Sequence, residues 1–132
     1  MYLRFVQSCP VEGMRARQGF FDAAYDLRRC PTSDPMTVER LRILLDWFDD
    51  HLDLPARFNK TKSKGYLHKE TRGLSWFRPS AKEHLAKSFE LSTILQVHGF
   101  PVELLKTNRP GFVVFEDEFQ IVAEPFNDTP TR

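Results

Sequence analysis

The chain has 132 residues with a formal net charge of +1; 41% of its residues are hydrophobic and 28% are charged. These are ordinary values for a globular protein, and a chain of this length can bury a core without disulfides or metals. The near-neutral total excludes a general attraction of the whole molecule to polyanions. We therefore predict a single domain over residues 1–126, followed by a flexible tail over residues 127–132.

The charged side chains are unevenly distributed along the chain. Residues 1–56 contain seven basic and nine acidic side chains, residues 57–87 contain nine and two, and residues 88–132 contain three and seven. The centre of the chain is thus strongly basic and lies between two acidic flanks. After folding, the flanks either neutralise this centre or leave it as a basic surface patch.

No targeting or membrane-spanning segment is visible in the sequence. The first seven residues lack the apolar core of a signal peptide, and no apolar run approaches the length of a membrane helix. Cys9 and Cys30 are each followed by proline and do not form a metal-binding motif. We predict a cytoplasmic protein with no membrane partner and no metal or other cofactor. Its thiols are free unless the fold brings the two cysteines together.

The first half of the chain predicts one strand and two helices. The strand covers residues 2–7, a loop covers 11–17, and the helices cover 18–29 and 35–51. Cys30 ends the first helix because a residue before proline avoids the helical conformation. Asp34 caps the second helix, and Pro35 occupies its first position. The core stripe of this second helix is spaced by three and four residues: Leu41, Leu44, Leu45, Phe48 and Leu52.

The clearest local signals mark a third helix over residues 80–98. Ser80 and Glu83 match a capping box, in which each side chain accepts a hydrogen bond from the backbone amide of the other residue. Gly99 supplies a left-handed residue at the end of the helix, and Pro101 prevents its continuation. The predicted apolar face consists of Ala81, Leu85, Phe89, Leu91 and Leu95.

Three short strands follow, over residues 102–106, 112–116 and 119–124. Turns at residues 108–111 and at residues 117–118 connect them into an antiparallel meander. One face then carries Phe112, Val114, Phe119, Ile121 and Ala123, and the other carries Val113, Phe115 and Val122. Because both faces are apolar, both need cover, from helices or from a second subunit. A homodimer through the second sheet face is therefore one prediction.

These elements predict an α+β fold. Three helices pack on a mixed or antiparallel sheet of about four strands, which ends in a C-terminal β-meander. Residues 55–73 lie outside the predicted elements and are polar, basic and without periodicity. A long segment of this kind predicts a mobile basic loop, and such loops are usually functional or disordered.

The basic loop and the residues that follow it form the candidate ligand-binding site. Its members are Arg57, Lys60, Lys62, Lys64, Tyr66, Lys69, Arg72, Trp76 and Arg78. Cations of this kind neutralise phosphates, and aromatic rings interleaved with them stack on unpaired bases. The pattern predicts binding of RNA or single-stranded DNA. An acidic protein surface would be contacted by the same residues.

The other groups of residues that could act as catalysts or metal ligands favour structural roles. No catalytic or metal-binding residue is predicted. His84 and Ser88 are neighbours on a helix, but no carboxylate is identified that would orient the histidine as a base. The carboxylates around Asp117 are typical of a solvated turn. The sequence thus indicates a binding protein rather than an enzyme.

One alternative is catalytic. Residues 111–117, with the sequence GFVVFED, resemble the core hairpin of the ribosome-dependent ribonuclease toxins of bacterial toxin–antitoxin pairs. The resemblance covers only this hairpin, and the chain departs from the family by its long helix before the meander and by carrying its cations in a loop. It implies proton transfer and phosphate stabilisation by Tyr66, His68, Lys69 and Arg72.

The predicted function is that of a small cytoplasmic binding or regulatory module whose basic loop contacts an anionic partner, RNA or single-stranded DNA. A protein-interaction or dimerisation module without nucleic acid is the first alternative. A toxin-like ribonuclease is the second.

Overall fold

The computed structural model describes residues 1–10, 17–52, 73–126 and 129. In chain order the described elements are β1 (Tyr2–Pro10), β2 (Arg17–Gly19), α1 (Phe21–Arg29), α2 (Pro35–His51), β3 (Leu74–Phe77), α3 (Lys82–Val97), β4 (Glu103–Thr107), β5 (Phe112–Glu116) and β6 (Gln120–Glu124). Three helices and an antiparallel sheet in this part of the chain confirm the α+β class. The sheet has six strands rather than about four. The single domain over residues 1–126 stays a prediction.

The first strand, β1, is paired along both edges. Leu3 pairs with Phe77 of β3 and also with Lys106 of β4, so these two strands lie on opposite edges of β1. Val6 likewise pairs with Gly19 of β2 and with Glu103 of β4. Two short strands, β2 and β3, therefore share one edge of β1, one near each of its ends. Beyond β3 the sheet continues through β6 to β5.

The three predicted C-terminal strands are present, but the pairing of β4 is different from a simple meander. β5 and β6 form the predicted antiparallel hairpin. β4 pairs instead with β1 over five residues, from Glu103 opposite Val6 to Thr107 opposite Tyr2. Strand periodicity defines which side chains share a face, but it does not specify which strand lies alongside. That choice depends on the long-range packing of the whole sheet.

A β-bulge in β5 corrects the predicted faces of the hairpin. Val113 pairs with Ala123, but Phe115 pairs with Val122, so β5 contributes one extra residue between the two pairs. An extra residue reverses the alternation of side chains along a strand. Phe112 therefore lies on the same face as Val122, and Val113 lies on the opposite face.

The helices cover one face of the sheet. Asp34 caps α2 as predicted, since its carboxylate accepts from the Thr37 amide at 2.9 Å. The predicted leucine and phenylalanine stripe of α2 is buried, apart from the half-buried Leu52. This core contains, among others, Phe5, Phe77, Leu41, Leu45, Phe48, Leu91 and Leu95.

The opposite face of the sheet carries a second buried cluster, formed by Val6, Leu74, Trp76, Leu105 and Ile121. None of these five side chains offers an open surface to a partner. Among the described strand residues, the exposed large apolar side chains both lie on β5. Phe112 is 67% exposed and Val113 is 49% exposed. The dimer contact through the second sheet face stays a prediction.

Two predicted helix starts are wrong. Gln18 and Gly19 belong to β2, so α1 begins only at Phe21. The N-cap of α3 is Ala81 rather than Ser80, and it makes no side-chain capping bond. The Ala81 amide instead donates to the Arg78 carbonyl at 3.0 Å, so a tight turn occupies the capping-box residues. Strand pairing of the residues before α1 and a tight turn before α3 thus override the local signals for a helix start.

The buried face of α3 also differs from the prediction. Phe89, predicted to be buried, is 52% exposed. The residues of α3 that are buried are His84, Ser88, Leu91, Ser92, Ile94 and Leu95. Ser88 is tolerated inside because its hydroxyl donates to the His84 carbonyl at 2.7 Å. Small polar residues thus form part of the contact face of this helix.

The end of α3 is as predicted. The Phe100 amide donates to the Leu95 carbonyl at 2.9 Å, and the Gly99 amide donates to the Gln96 carbonyl at 3.1 Å. This pair of bonds, with Gly99 at a φ of +88°, is a Schellman motif. Within the described ranges, no helix has the length and apolar composition needed to cross a bilayer.

Gly111 and Gly99 provide a matched test of backbone strain. Both have positive φ, but a Cβ at Gly111 would collide with the backbone of Glu124, whereas one at Gly99 meets nothing within 4 Å. We expect Gly99→Ala to lower the free energy of unfolding by about 1 kcal/mol, from strain alone. Gly111→Ala should cost at least about 2 kcal/mol. Urea denaturation of both variants measures the difference, and equal losses would contradict the predicted backbone collision.

Candidate functional site

Most of the predicted basic patch lies outside the described residues. This applies to Arg57, Lys60, Lys62, Lys64, Tyr66, Lys69 and Arg72. His68, the remaining residue implied by the ribonuclease resemblance, also lies there. The predicted mobile loop over residues 55–73 falls almost entirely in the same range. These assignments stay predictions, and Trp76 and Arg78 are the two members that can be placed.

Trp76 does not belong on an exposed patch. It lies in β3, is 1% exposed, and packs in the second buried cluster. Its ring cannot stack on a base at the surface, so we remove it from the predicted nucleic-acid surface. The apolar run from Leu74 to Phe77 that surrounds it is a signal of burial.

Arg78 fixes the tip of the β5–β6 hairpin. Its Nε donates to the Asp117 carbonyl at 2.8 Å, and its guanidinium lies 3.5 Å from the Glu116 carboxylate. The Asp117 carboxylate in turn accepts from the amides of Phe119 and Gln120 at 2.8 and 2.9 Å. The acidic turn is therefore held by its own hydrogen bonds. In the described part of the chain, no three His, Cys, Asp or Glu side chains converge as metal ligands.

His84 joins α3 to the end of α2. Its Nε2 lies 2.7 Å from the carbonyl oxygen of His51, so this nitrogen carries the proton and donates to the last residue of α2. The ring stacks on Phe119 at 4.3 Å and meets Trp47 edge-on at 4.8 Å. Ser88 is bonded to the helix backbone, not to the imidazole. The arrangement is a structural joint between the two helices.

A second joint connects the start of α2 to the end of α3. The Thr37 hydroxyl lies 2.7 Å from the Asp34 carboxylate and 3.3 Å from Nε2 of His98. Nδ1 of His98 lies 2.8 Å from the Ile94 carbonyl. Hydrogen bonds from Thr37 hold the pKa of the Asp34 carboxyl below its usual value, and His98 adds a smaller electrostatic contribution. The carboxylate therefore orients the hydroxyl rather than the imidazole, unlike in a hydrolase triad.

A cleft of about 480 Å³ opens beside β1, where β2 and β3 separate. Its walls come from β1, β3, the beginning of α1 and the end of α2. Aromatic side chains predominate among the lining residues, which include Phe5, Phe20, Phe21, Tyr25, Phe48, Trp76 and Phe77. A concave, mostly apolar site of this size with a few polar groups is typical of small-molecule binding sites.

Arg4 is the buried charge of this cleft. It is 7% exposed, and one guanidinium nitrogen donates to the Ser75 carbonyl at 3.2 Å. Burial lowers the pKa of Arg4 to about 10, while the nearby Asp22 carboxylate opposes that shift. The guanidinium therefore remains protonated at neutral pH. Asp22 and Asp49 also line the cleft, but both side chains are exposed to water.

Sequence reasoning missed this cleft. The alternation of side chains along the predicted strand 2–7 places Arg4 on the same side as the apolar residues Tyr2 and Val6. A charged residue among apolar strand residues is a weak signal of a polar group inside the fold. The separation of β2 from β3, which opens the cleft beside it, has no counterpart in local sequence patterns.

Comparisons with known proteins give no relative from which function could be transferred. No protein-family model, no curated protein and no solved structure matches the chain. Function must therefore be inferred from the residues themselves.

The lowered pKa of Asp34 predicts an acid-sensitive joint between α2 and α3. Because the folded pKa lies below the unfolded value of about 3.9, the stabilisation is present above that pH and is lost as the pH falls through the folded pKa. We expect Asp34→Asn to lower the melting temperature at neutral pH and to have a progressively smaller effect in acid. Thermal unfolding at a series of pH values tests this. In a Thr37→Val background the pH dependence should largely disappear, and a pH-independent effect would contradict the assignment.

Proposed function

We propose that this protein is a small binding module that holds an anionic partner, RNA or single-stranded DNA, through the basic segment over residues 53–72. The distribution of charge supports this proposal. The segment has six basic and two acidic side chains, a net charge of +4. The described residues have 11 basic and 14 acidic side chains, a net charge of −3. The positive charge available to a polyanion is thus concentrated in one stretch of chain.

Contacts among the described residues also support assigning the anionic partner to the basic segment. Arg42 forms ion pairs with Glu39 and Asp46, the latter at 3.0 Å. Arg29 lies 3.1 Å from Asp26, and Arg78 is bound at the β5–β6 hairpin. Since these cations already face carboxylates or carbonyls, they are poor candidates for phosphate contacts. The proposal therefore assigns the anionic partner to Arg57, Lys60, Lys62, Lys64, Lys69 and Arg72, with Tyr66 as the stacking ring.

A salt series tests the basic segment. Binding of labelled single-stranded RNA or DNA should weaken linearly on a plot of log affinity against log salt. Changing Lys60, Lys62 and Lys64 together to Ala should make that slope shallower by about 2, because each contacted phosphate of a single strand contributes about 0.7. Fluorescence anisotropy at several salt concentrations measures the slope for both proteins.

A charge-matched variant provides the control. Arg40, Lys82 and Lys106 are exposed cations of the described body, and changing all three to Ala removes the same total charge. That variant should retain most of the native slope. Equal effects of the two triple variants would show that binding depends only on the net charge of the protein, and would contradict a specific role of the basic segment. No binding at low salt would overturn the nucleic-acid proposal.

A dimerisation module is the second candidate, and the end of the sheet favours it. β5 is the last strand in the sheet order and carries the exposed side chains of Phe112 and Val113. An edge strand with exposed apolar residues readily pairs with another strand. In a two-fold dimer, β5 of one subunit would pair with β5 of the other.

The edge can be tested with a charged substitution. We expect Val113→Lys to shift sedimentation at high protein concentration from dimer towards monomer, because a lysine on an edge strand opposes strand pairing. Val97→Lys, which places the same charge on an exposed residue of α3, should leave the association unchanged. A native protein that remains monomeric at high concentration would remove this candidate.

A further inference from the structure

Arg4 is a structural part of one wall of the cleft beside β1. One of its guanidinium nitrogens donates to the Ser75 carbonyl of β3 at 3.2 Å and lies 3.9 Å from the position that a Cβ on Gly19 of β2 would take. The guanidinium therefore lies in the gap between β2 and β3. The register of β1 and β3 also places Arg4 opposite Trp76, which is buried. A ligand in the cleft must be recognised by other groups.

Two carboxylates of the cleft are available to such a ligand. Asp22, at the start of α1, and Asp49, near the end of α2, both line the cleft and are exposed. Among the described residues neither forms an ion pair, whereas Asp46 on the same face of the molecule is paired with Arg42. Asp22 opposes the lowering of the Arg4 pKa only at longer range. With one arginine and two aspartates, the lining has a net charge of −1.

Aromatic rings lie beside these two carboxylates. Phe21 precedes Asp22 and Phe48 precedes Asp49 in the sequence, and the two rings meet edge-on with centroids 4.9 Å apart. This contact brings together the parts of α1 and α2 that carry the carboxylates. Tyr25 also lines the cleft and, like Phe21, is half-buried. Accessible rings next to carboxylates are suitable surroundings for an ammonium group, because the faces of aromatic rings attract cations.

The pKa of Tyr25 indicates a negative potential at the mouth of the cleft. Partial burial raises this pKa most, and the Asp49 carboxylate is the next largest cause. Arg28 opposes the shift less strongly than Asp49 supports it, and Asp46 adds to the shift. Surroundings that disfavour a phenolate also disfavour other anions and favour a cation. The buried Arg4 opposes a positive charge inside the cleft, so the cationic end of a ligand belongs at the mouth.

We propose that the cleft binds a small organic cation, in which an ammonium group is attached to an aromatic or branched apolar body. The body occupies the interior, whose volume of about 480 Å³ is sufficient for a molecule of this size. The ammonium group lies at the mouth, near Asp22 and Asp49 and beside the rings of Phe21 and Tyr25. The proposal is independent of the basic segment and of its partner.

Three probes of nearly equal shape test the sign of the ligand charge. Tryptamine carries an ammonium group, indole-3-acetamide carries a neutral amide, and indole-3-acetate carries a carboxylate. We expect tryptamine to bind about tenfold more tightly than the amide, and the acid to bind most weakly. Titration followed by two-dimensional amide NMR gives the three affinities, and shifts at Phe21, Asp22, Tyr25 and Asp49 locate the site.

Substitutions of the two aspartates test their role without threatening the fold, because both side chains are exposed. Asp22→Asn and Asp49→Asn should each lower the preference for tryptamine over the amide about threefold, and the double variant should bind both probes about equally. Asp50→Asn is the matched control. It removes the same charge from the next exposed residue of α2, which does not line the cleft, and should leave the preference nearly unchanged at physiological salt.

The ring of Tyr25 can be tested separately. Tyr25→Phe keeps the ring and should retain the native preference for tryptamine over the amide. Tyr25→Leu keeps an apolar side chain but removes the ring, and should lower that preference about twofold. Using the ratio of the two affinities removes any general effect of a substitution on the shape of the cleft.

The outcomes are distinct. Tightest binding of the acid, equal binding of tryptamine and the amide, or no binding of any probe would overturn the proposal, as would shifts confined to residues away from the cleft. Equal losses in Asp49→Asn and Asp50→Asn would also overturn it, because they would indicate a general attraction to the acidic body. The triple lysine variant of the basic segment should retain the preference for tryptamine, so failure of the nucleic-acid proposal would leave this result unaffected.

Discussion

The two-sided pairing of β1 is the constraint on which the rest of the structure depends. Its hydrogen bonds connect the beginning of the chain to β4 on one edge and to β2 and β3 on the other. An edge shared by two short strands cannot be covered continuously, so a gap remains beside Arg4 and Phe5. The cleft is thus a consequence of sheet topology, and its buried cation, Arg4, lies on the strand that is paired along both edges.

The helices are joined by polar contacts at both ends of α2. Asp34 and Thr37 reach His98 where α2 begins, and His84 donates to the His51 carbonyl where α2 ends. These contacts join residues 33 or more positions apart in sequence, and they satisfy groups that helix ends leave unpaired. Together with the buried leucines between the helices, they hold α2 and α3 side by side on the sheet.

The proposed functions use different parts of this arrangement. The basic segment over residues 53–72 follows the end of α2 and precedes β3, so it is connected to two elements that also line the cleft. The acidic body and the basic segment have opposite net charge, which concentrates attraction for a polyanion in one stretch. In the second candidate function, the β5 edge would pair with a strand of another subunit. Each proposal has its own variants and its own measurement.

Local sequence signals determined the α+β class, the whole of α2 with its Asp34 cap, the glycine end of α3 and the hairpin of β5 and β6. These features depend on residues within a few positions of one another, where capping, turn geometry and periodicity operate. Tertiary structure alone decided that β4 pairs with β1, that a bulge shifts the faces of β5, and that α3 buries Ser88 while exposing Phe89. It also decided that Trp76 lies buried opposite Arg4 rather than on the basic surface. Strand partners, burial and cavities arise from contacts between distant residues, whose energies no local pattern contains.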